Sequence, residues 1–179
     1  MKIFFPGCRV KGRYVECSEK LAEYIEKTLD IKPSGCCKEE YTKIEKDSEV
    51  ILICSNCANE LRKKGFSDFT FVYELINNDD NFIFPNYEHQ QMYVQVCRHG
   101  YEKDMTDTIV SLLKKMNIDP IIIPEVIPEG LPNSEHRELV SKISEQYHGK
   151  DIITICPICN LTLINNGINA RYLLEMLFA

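Results

Sequence analysis

Apolar positions along this chain fall into two alternating patterns. Residues 50–53 (Val50, Ile51, Leu52, Ile53) and 152–155 (Ile152, Ile153, Thr154, Ile155) are short, near-continuous apolar runs rich in β-branched side chains. Runs of that kind predict strands buried on both faces of a parallel sheet. Over 18–29, Leu21, Tyr24, Ile25 and Leu29 recur at helical spacing. Ile109, Leu112, Leu113 and Met116 do so over 106–116, and Leu139, Val140, Ile143 and Tyr147 over 134–147. Strands alternating with helices of this length imply βαβ units and a mostly parallel sheet.

The pattern also repeats. Residues 2–8 and 92–97 are both short apolar runs that end in a cysteine followed by arginine, Arg9 and Arg98. The run Glu49-Val50-Ile51-Leu52-Ile53-Cys54 matches Asp151-Ile152-Ile153-Thr154-Ile155-Cys156. Each is followed by a second cysteine, then a leucine (Leu61, Leu163) and a glycine (Gly65, Gly167). Phe71-Val72-Tyr73-Glu74-Leu75 resembles Tyr172-Leu173-Leu174-Glu175-Met176. The polar stretch 77–91, carrying Pro85, separates the copies. The expected organisation is therefore α/β, with two pseudo-repeated small lobes, each a mostly parallel sheet with flanking helices. The lobes span 1–80 and 92–179, with 81–91 as linker.

Composition narrows the class. The chain has 179 residues, 44% apolar and 27% charged, the balance of an ordinary soluble globular protein. A net charge of −6 argues against a general nucleic-acid binder. The apolar runs are strand-sized, too short for a membrane span, and the first residues carry too short an apolar run for a signal peptide. A cytoplasmic, reducing compartment is the default expectation, and structural disulfides are rare there.

The nine cysteines change the picture most. The first copy holds Cys8, the adjacent pair Cys36 and Cys37, and Cys54-Ser55-Asn56-Cys57. The second holds Cys97 and Cys156-Pro157-Ile158-Cys159, with no pair. Only Cys17 lies outside the scheme, and on a predicted helix it reads as a buried apolar residue. Nine is odd, which a fully paired disulfide framework would not leave. A thioredoxin-type motif would need most of its sheet after Cys159, and a zinc ribbon would need its paired motifs much closer together. Grouped thiolates in an intracellular chain point instead to metal or iron–sulfur ligation, because soft sulfur is what such ions select.

Position agrees with that chemistry. In open parallel sheets ligands gather beyond the carboxyl ends of the strands, and Cys8, Cys54, Cys97 and Cys156 each follow a predicted strand. Cys57 and Cys159 then open the next helix, whose positive end stabilises a thiolate. Arg9, Lys11 and Arg13 follow Cys8 in an expected strand-to-helix loop, and Lys38 follows the pair. These cations could hold the carboxylate, sulfonate or phosphate of a thiol substrate, dock an acidic electron-transfer partner, or simply be solvated.

The arrangement Cys8, Cys36-Cys37, Cys54-x-x-Cys57 resembles the cysteine-rich CCG domain. That domain occurs, usually in two copies, in the B-type subunits of heterodisulfide reductases and in related anaerobic oxidoreductases. Phe5-Pro6-Gly7-Cys8 resembles its opening strand and turn. Cys156-Pro157-Ile158-Cys159-Asn160-Leu161-Thr162-Leu163 is similar to its closing motif. The resemblance implies a non-cubane 4Fe-4S cluster on Cys8, Cys36, Cys37, Cys54 and Cys57, where a small thiol or disulfide is bound and the disulfide cleaved or formed. Electrons would come from a separate iron–sulfur or flavin protein. Lys38 stands where the family usually has glycine, and residues 124–130 supply no cysteine pair to the second half, so a five-thiolate cluster is not expected there. Cys97, Cys156 and Cys159 with His99 would make a tetrahedral zinc site, and the three thiolates alone would hold a second iron–sulfur cluster. His99 reads equally as a solvated loop histidine. The competing function is a metal-binding module without turnover, either an electron carrier or a zinc-stabilised interaction protein.

Overall fold

The computed structural model describes residues 2–45, 47–96, 105–124 and 133–179. The protein is α/β, with a three-stranded and a four-stranded sheet, both parallel and flanked by helices. The chain divides into two compact units. The first is built on residues up to Phe82 together with Phe178, and the second on the described chain from Ile83 to Leu177.

In the first unit β1 (Lys2–Phe5) leads into α1 (Cys8–Arg13) and α2 (Val15–Leu29). The pair region forms α3 (Cys37–Glu40) and a short 3-10 turn, Tyr41–Lys43. Then come β2 (Glu49–Leu52), α4 (Ser55–Arg62), β3 (Thr70–Phe71) and α5 (Val72–Asn77). The order is β1-β2-β3, and a parallel bridge from Phe4 to Pro33 adds a rudimentary fourth position beside β1. Helix α2 buries Cys17, Ser18, Leu21 and Ile25 along one stripe, as its apolar spacing predicts. Cys17 is in that stripe, with its thiol donating to the Tyr14 carbonyl at 3.3 Å. Residues 9–13, expected in a loop, instead continue α1. Only Val10 of that helix is buried, so no amphipathic stripe announces it.

The second unit repeats the plan with β4 (Gln90–Gln95), α6 (Thr106–Lys115), β5 (Ile118–Ile122), α7 (Asn133–Gln146), β6 (Ile152–Thr154), α8 (Pro157–Asn165), β7 (Ala170–Tyr172) and α9 (Leu173–Leu177). Its sheet runs β5-β4-β6-β7. Pro120 within β5 fits an edge position, where its missing N–H costs no ladder bond. Strand β4 begins at Gln90, inside the polar stretch expected to link the lobes. Just before it, Tyr87 N–H and His89 N–H donate to the carbonyls of Met116 and Asn117. Ile123, Ile143, Tyr147, Ile152, Leu163 and Ile168 form one buried cluster on one face of the sheet, with Tyr93 packed against it. Each such side chain contributes about 1.5–3 kcal/mol on burial.

Strand register lines up the two units. Phe5 pairs with Leu52, and Leu52 with Phe71; Gln95 pairs with Thr154, and Thr154 with Tyr172. Each trio is the last layer before the carboxyl end of its sheet. Above it stands the helix that carries the Cys-x-x-Cys motif, with Ala58 following Cys57 in α4 and Asn160 following Cys159 in α8. The layer is apolar in the first unit and polar in the second, and all eight residues are buried. Leaving a buried amide or hydroxyl unpaired costs about 1–3 kcal/mol.

Candidate metal centre

Five cysteines of the first unit converge on the carboxyl end of its sheet. Cys8 opens α1 directly after β1, and Cys54 and Cys57 sit at the N-cap and in the first turn of α4 after β2. Cys36 caps α3 and Cys37 begins it. The Cys8 and Cys36 sulfurs are 3.4 Å apart. Cys57 is hydrogen-bonded to both Cys37 and Cys54. Cys8 is exposed and Cys36 half-buried, whereas Cys37, Cys54 and Cys57 are buried. The set thus grades from a closed interior to an open edge.

Local backbone devices hold it. Gly7 has φ +75°, and a Cβ there would stand 3.2 Å from Ile53 Cγ2 and 3.3 Å from Cys54 Cβ. Only glycine lets the turn after β1 pass that close to the turn after β2. The Gly35 N–H donates to Glu40 Oε2 at 2.8 Å, tying the approach to the cysteine pair onto the helix that follows it. Glu40 also pairs with Lys43 at 3.0 Å. The backbone donation, then Lys43, holds the Glu40 carboxyl below its ordinary range. Across the site Lys38 meets Glu60 of α4 at 3.6 Å, linking α3 to α4.

The thiols bias one another. Burial pushes the Cys8 thiol above its ordinary range, reinforced by its hydrogen bond with Cys36 and by charge on Cys36 and Cys37. A hydrogen bond from Cys57 holds Cys37 below the usual value against the effect of its burial, and Lys38 acts in the same direction. Cys57 is pushed far upward by its bonds to Cys37 and Cys54 and by burial. Thiolates this crowded cannot all ionise without a strong positive centre among them, and a metal ion reverses that bias.

The donor set is sulfur alone, which soft metal ions and iron–sulfur centres select. Among the described residues no group of three or more His, Cys, Asp or Glu is arranged around a single ion. Five sulfurs also exceed the four that a structural zinc takes.

Of the cations singled out in the sequence, Lys11 lines an open cavity of about 350 Å³ with Cys8, Gly12, Gly35 and Cys36. Arg9 lies exposed on α1, and Lys38 is turned toward Glu60. In the second unit Cys156 caps α8 and Cys159 lies in its first turn, both buried. Cys97 and His99 lie outside the described residues. The sequence pattern does not single out Gly35, Glu40 or Glu60 as site residues. The available signal was Gly35 itself, a glycine directly before the cysteine pair rather than after it.

Compared with known proteins, the chain matches no family model, no curated protein and no solved structure. No helix among the described residues is long and apolar enough to cross a membrane.

Proposed function

We propose that this chain is an iron–sulfur oxidoreductase component of the heterodisulfide-reductase-B kind. In this proposal Cys8, Cys36, Cys37, Cys54 and Cys57 hold a non-cubane 4Fe-4S cluster in the first unit. The observation that carries it is the convergence of five cysteines from three separate segments at one sheet end, linked through the Cys8–Cys36 and Cys37–Cys57–Cys54 contacts.

When bound, the cluster would supply one-electron chemistry to a substrate sulfur at its open side. The chain's own part is to place that side. Cys37, Cys54 and Cys57 close the interior, while Cys8 and Cys36 border the cavity where a thiol or disulfide of small size can approach. Lys11 offers that substrate a positive charge for an anionic group. Cleaving a disulfide to two thiols takes two electrons and two protons. The electrons come from a separate iron–sulfur or flavin protein in a reducing, cytoplasmic setting.

The competing proposal, a metal-binding module without turnover, predicts a centre that thiols do not perturb. Paramagnetic resonance of mildly oxidised, anaerobically prepared protein separates the two. A signal that shifts on adding a small thiol such as 2-mercaptoethanesulfonate supports the oxidoreductase. A centre with no response to thiols or disulfides leaves an electron carrier or a zinc-stabilised module.

A further inference from the structure

The second unit carries a feature that thiol chemistry does not use. Taken in chain order its strands lie 2-1-3-4 across the sheet, so the connections leave in opposite directions on either side of β4 and β6. The gap between those strands is the topological switch point, beyond whose carboxyl end ligands bind in open parallel sheets. Gln95 and Thr154 are the last residues of β4 and β6, and are register partners across that gap. They are 2% and 0% exposed, yet the Gln95 Oε1 and Nε2 and the Thr154 Oγ1 have no hydrogen-bond partner among the described residues.

Geometry fixes the face they serve. Side chains alternate along a strand, so Gln95 shares a face with Tyr93, and Thr154 with Ile152. Tyr93 and Ile152 pack with Leu163 of α8. The orphan atoms therefore lie beneath α8, the helix that opens with Cys156 and Cys159. Buried Tyr172 is the register partner of Thr154, and among the described residues no charged side chain is buried. A charged ligand would be desolvated there without a counter-charge, whereas a neutral one need only match donors and acceptors.

We propose that the carboxyl end of the second sheet, between β4 and β6, binds a small uncharged molecule through a carboxamide-like edge, held by Gln95 and Thr154. The Gln95 side chain both donates and accepts, and the Thr154 hydroxyl can do either. A ligand amide, with one N–H side and one C=O side, complements that pair. The site is independent of the iron–sulfur proposal, because neither residue takes part in the thiol set of the first unit.

The test uses the full chain, isotope-labelled, with acetamide as probe and the side-chain amide signal of Gln95 as readout. That signal is assigned by its loss in Gln95→Leu. The expected result is a saturable shift of the Gln95 amide and Thr154 methyl signals, with affinity on the order of millimolar for so small a probe. Acetate, the charged counterpart, should leave them unmoved. Thr154→Val should weaken acetamide binding several-fold. The double variant Gln95→Leu/Thr154→Val, which restores the apolar pattern of the first unit and should fold, should abolish it. No saturable shift with wild-type protein overturns the proposal, as does an equal response in the double variant. Cross-relaxation of Gln95 with water alone, without an acetamide effect, would also overturn it by showing that ordered water fills the layer.

Discussion

At the carboxyl end of the first sheet the last layer is Phe5, Leu52 and Phe71. At the same place in the second it is Gln95, Thr154 and Tyr172. The ladders beneath are alike, and in both units a Cys-x-x-Cys motif opens the helix after the second aligned strand. The apolar floor of the first unit leaves all the chemistry to the thiols above it. The polar floor of the second carries hydrogen-bonding groups of its own beneath only two described cysteines. One backbone plan therefore carries two kinds of floor, and the difference is made at one position per strand.

The sharpest way to break that contrast is to remove the cysteine pair that only the first unit has. Cys36→Ala or Cys37→Ala should reduce bound iron and sulfide to background, while Cys159→Ser should leave first-unit loading intact. Equal losses in both experiments would mean that the two units act as one metal site.

Exchanging the floors comes next in size. Leu52→Thr puts a hydroxyl into an apolar layer and should cost about 3 kcal/mol of stability, read by denaturant unfolding of the metal-free chain. The reverse exchange, Gln95→Leu/Thr154→Val, should be neutral or gain about 1–2 kcal/mol, because it removes buried groups that have no partner among the described residues. Destabilisation by both would show that the polar layer is already satisfied.

Gly7→Ala should cost about 1–3 kcal/mol and lower metal loading, since its positive φ and contacts with Ile53 and Cys54 leave no room for a Cβ. Normal loading would show that the turn does not position Cys8.

Proton linkage gives a smaller, graded effect. The raised thiols of Cys8 and Cys57 keep their protons in the folded metal-free chain. Their contribution to stability is full below the ordinary thiol range and is lost as pH rises through their folded values. Cys37, held low, works in the opposite direction. Metal loading has the reverse dependence from Cys8 and Cys57, because those protons must leave, so affinity should strengthen from pH 6 to pH 8. Metal affinity that is flat across that interval would contradict the thiolate donor set.

Much of the fold was legible because the central strands are buried on both faces and so read as apolar runs. Residues 50–53 and 152–155 announced β2 and β6 in this way. Helix α1 was not legible, because three cations and a single buried valine leave it no stripe. The gathering of Cys8, Cys36, Cys37, Cys54 and Cys57 could be inferred because strand ends in one parallel sheet are neighbours. Their supports could not, since the reach of Glu40 back to Gly35 and the Lys38–Glu60 pair depend on loop geometry that spacing does not encode. The polar layer was hidden for another reason. Thr154 passes as an ordinary strand former and Gln95 as one polar residue in an apolar run, and only register sets them side by side.

The most direct test of the central claim is a count of iron, zinc and acid-labile sulfide on anaerobically purified chain. About four irons and four sulfides per chain, lost in the Cys37→Ala variant, is the expected result. Zinc without sulfide, persisting after reconstitution under reducing conditions, would contradict it and leave a metal-stabilised binding module.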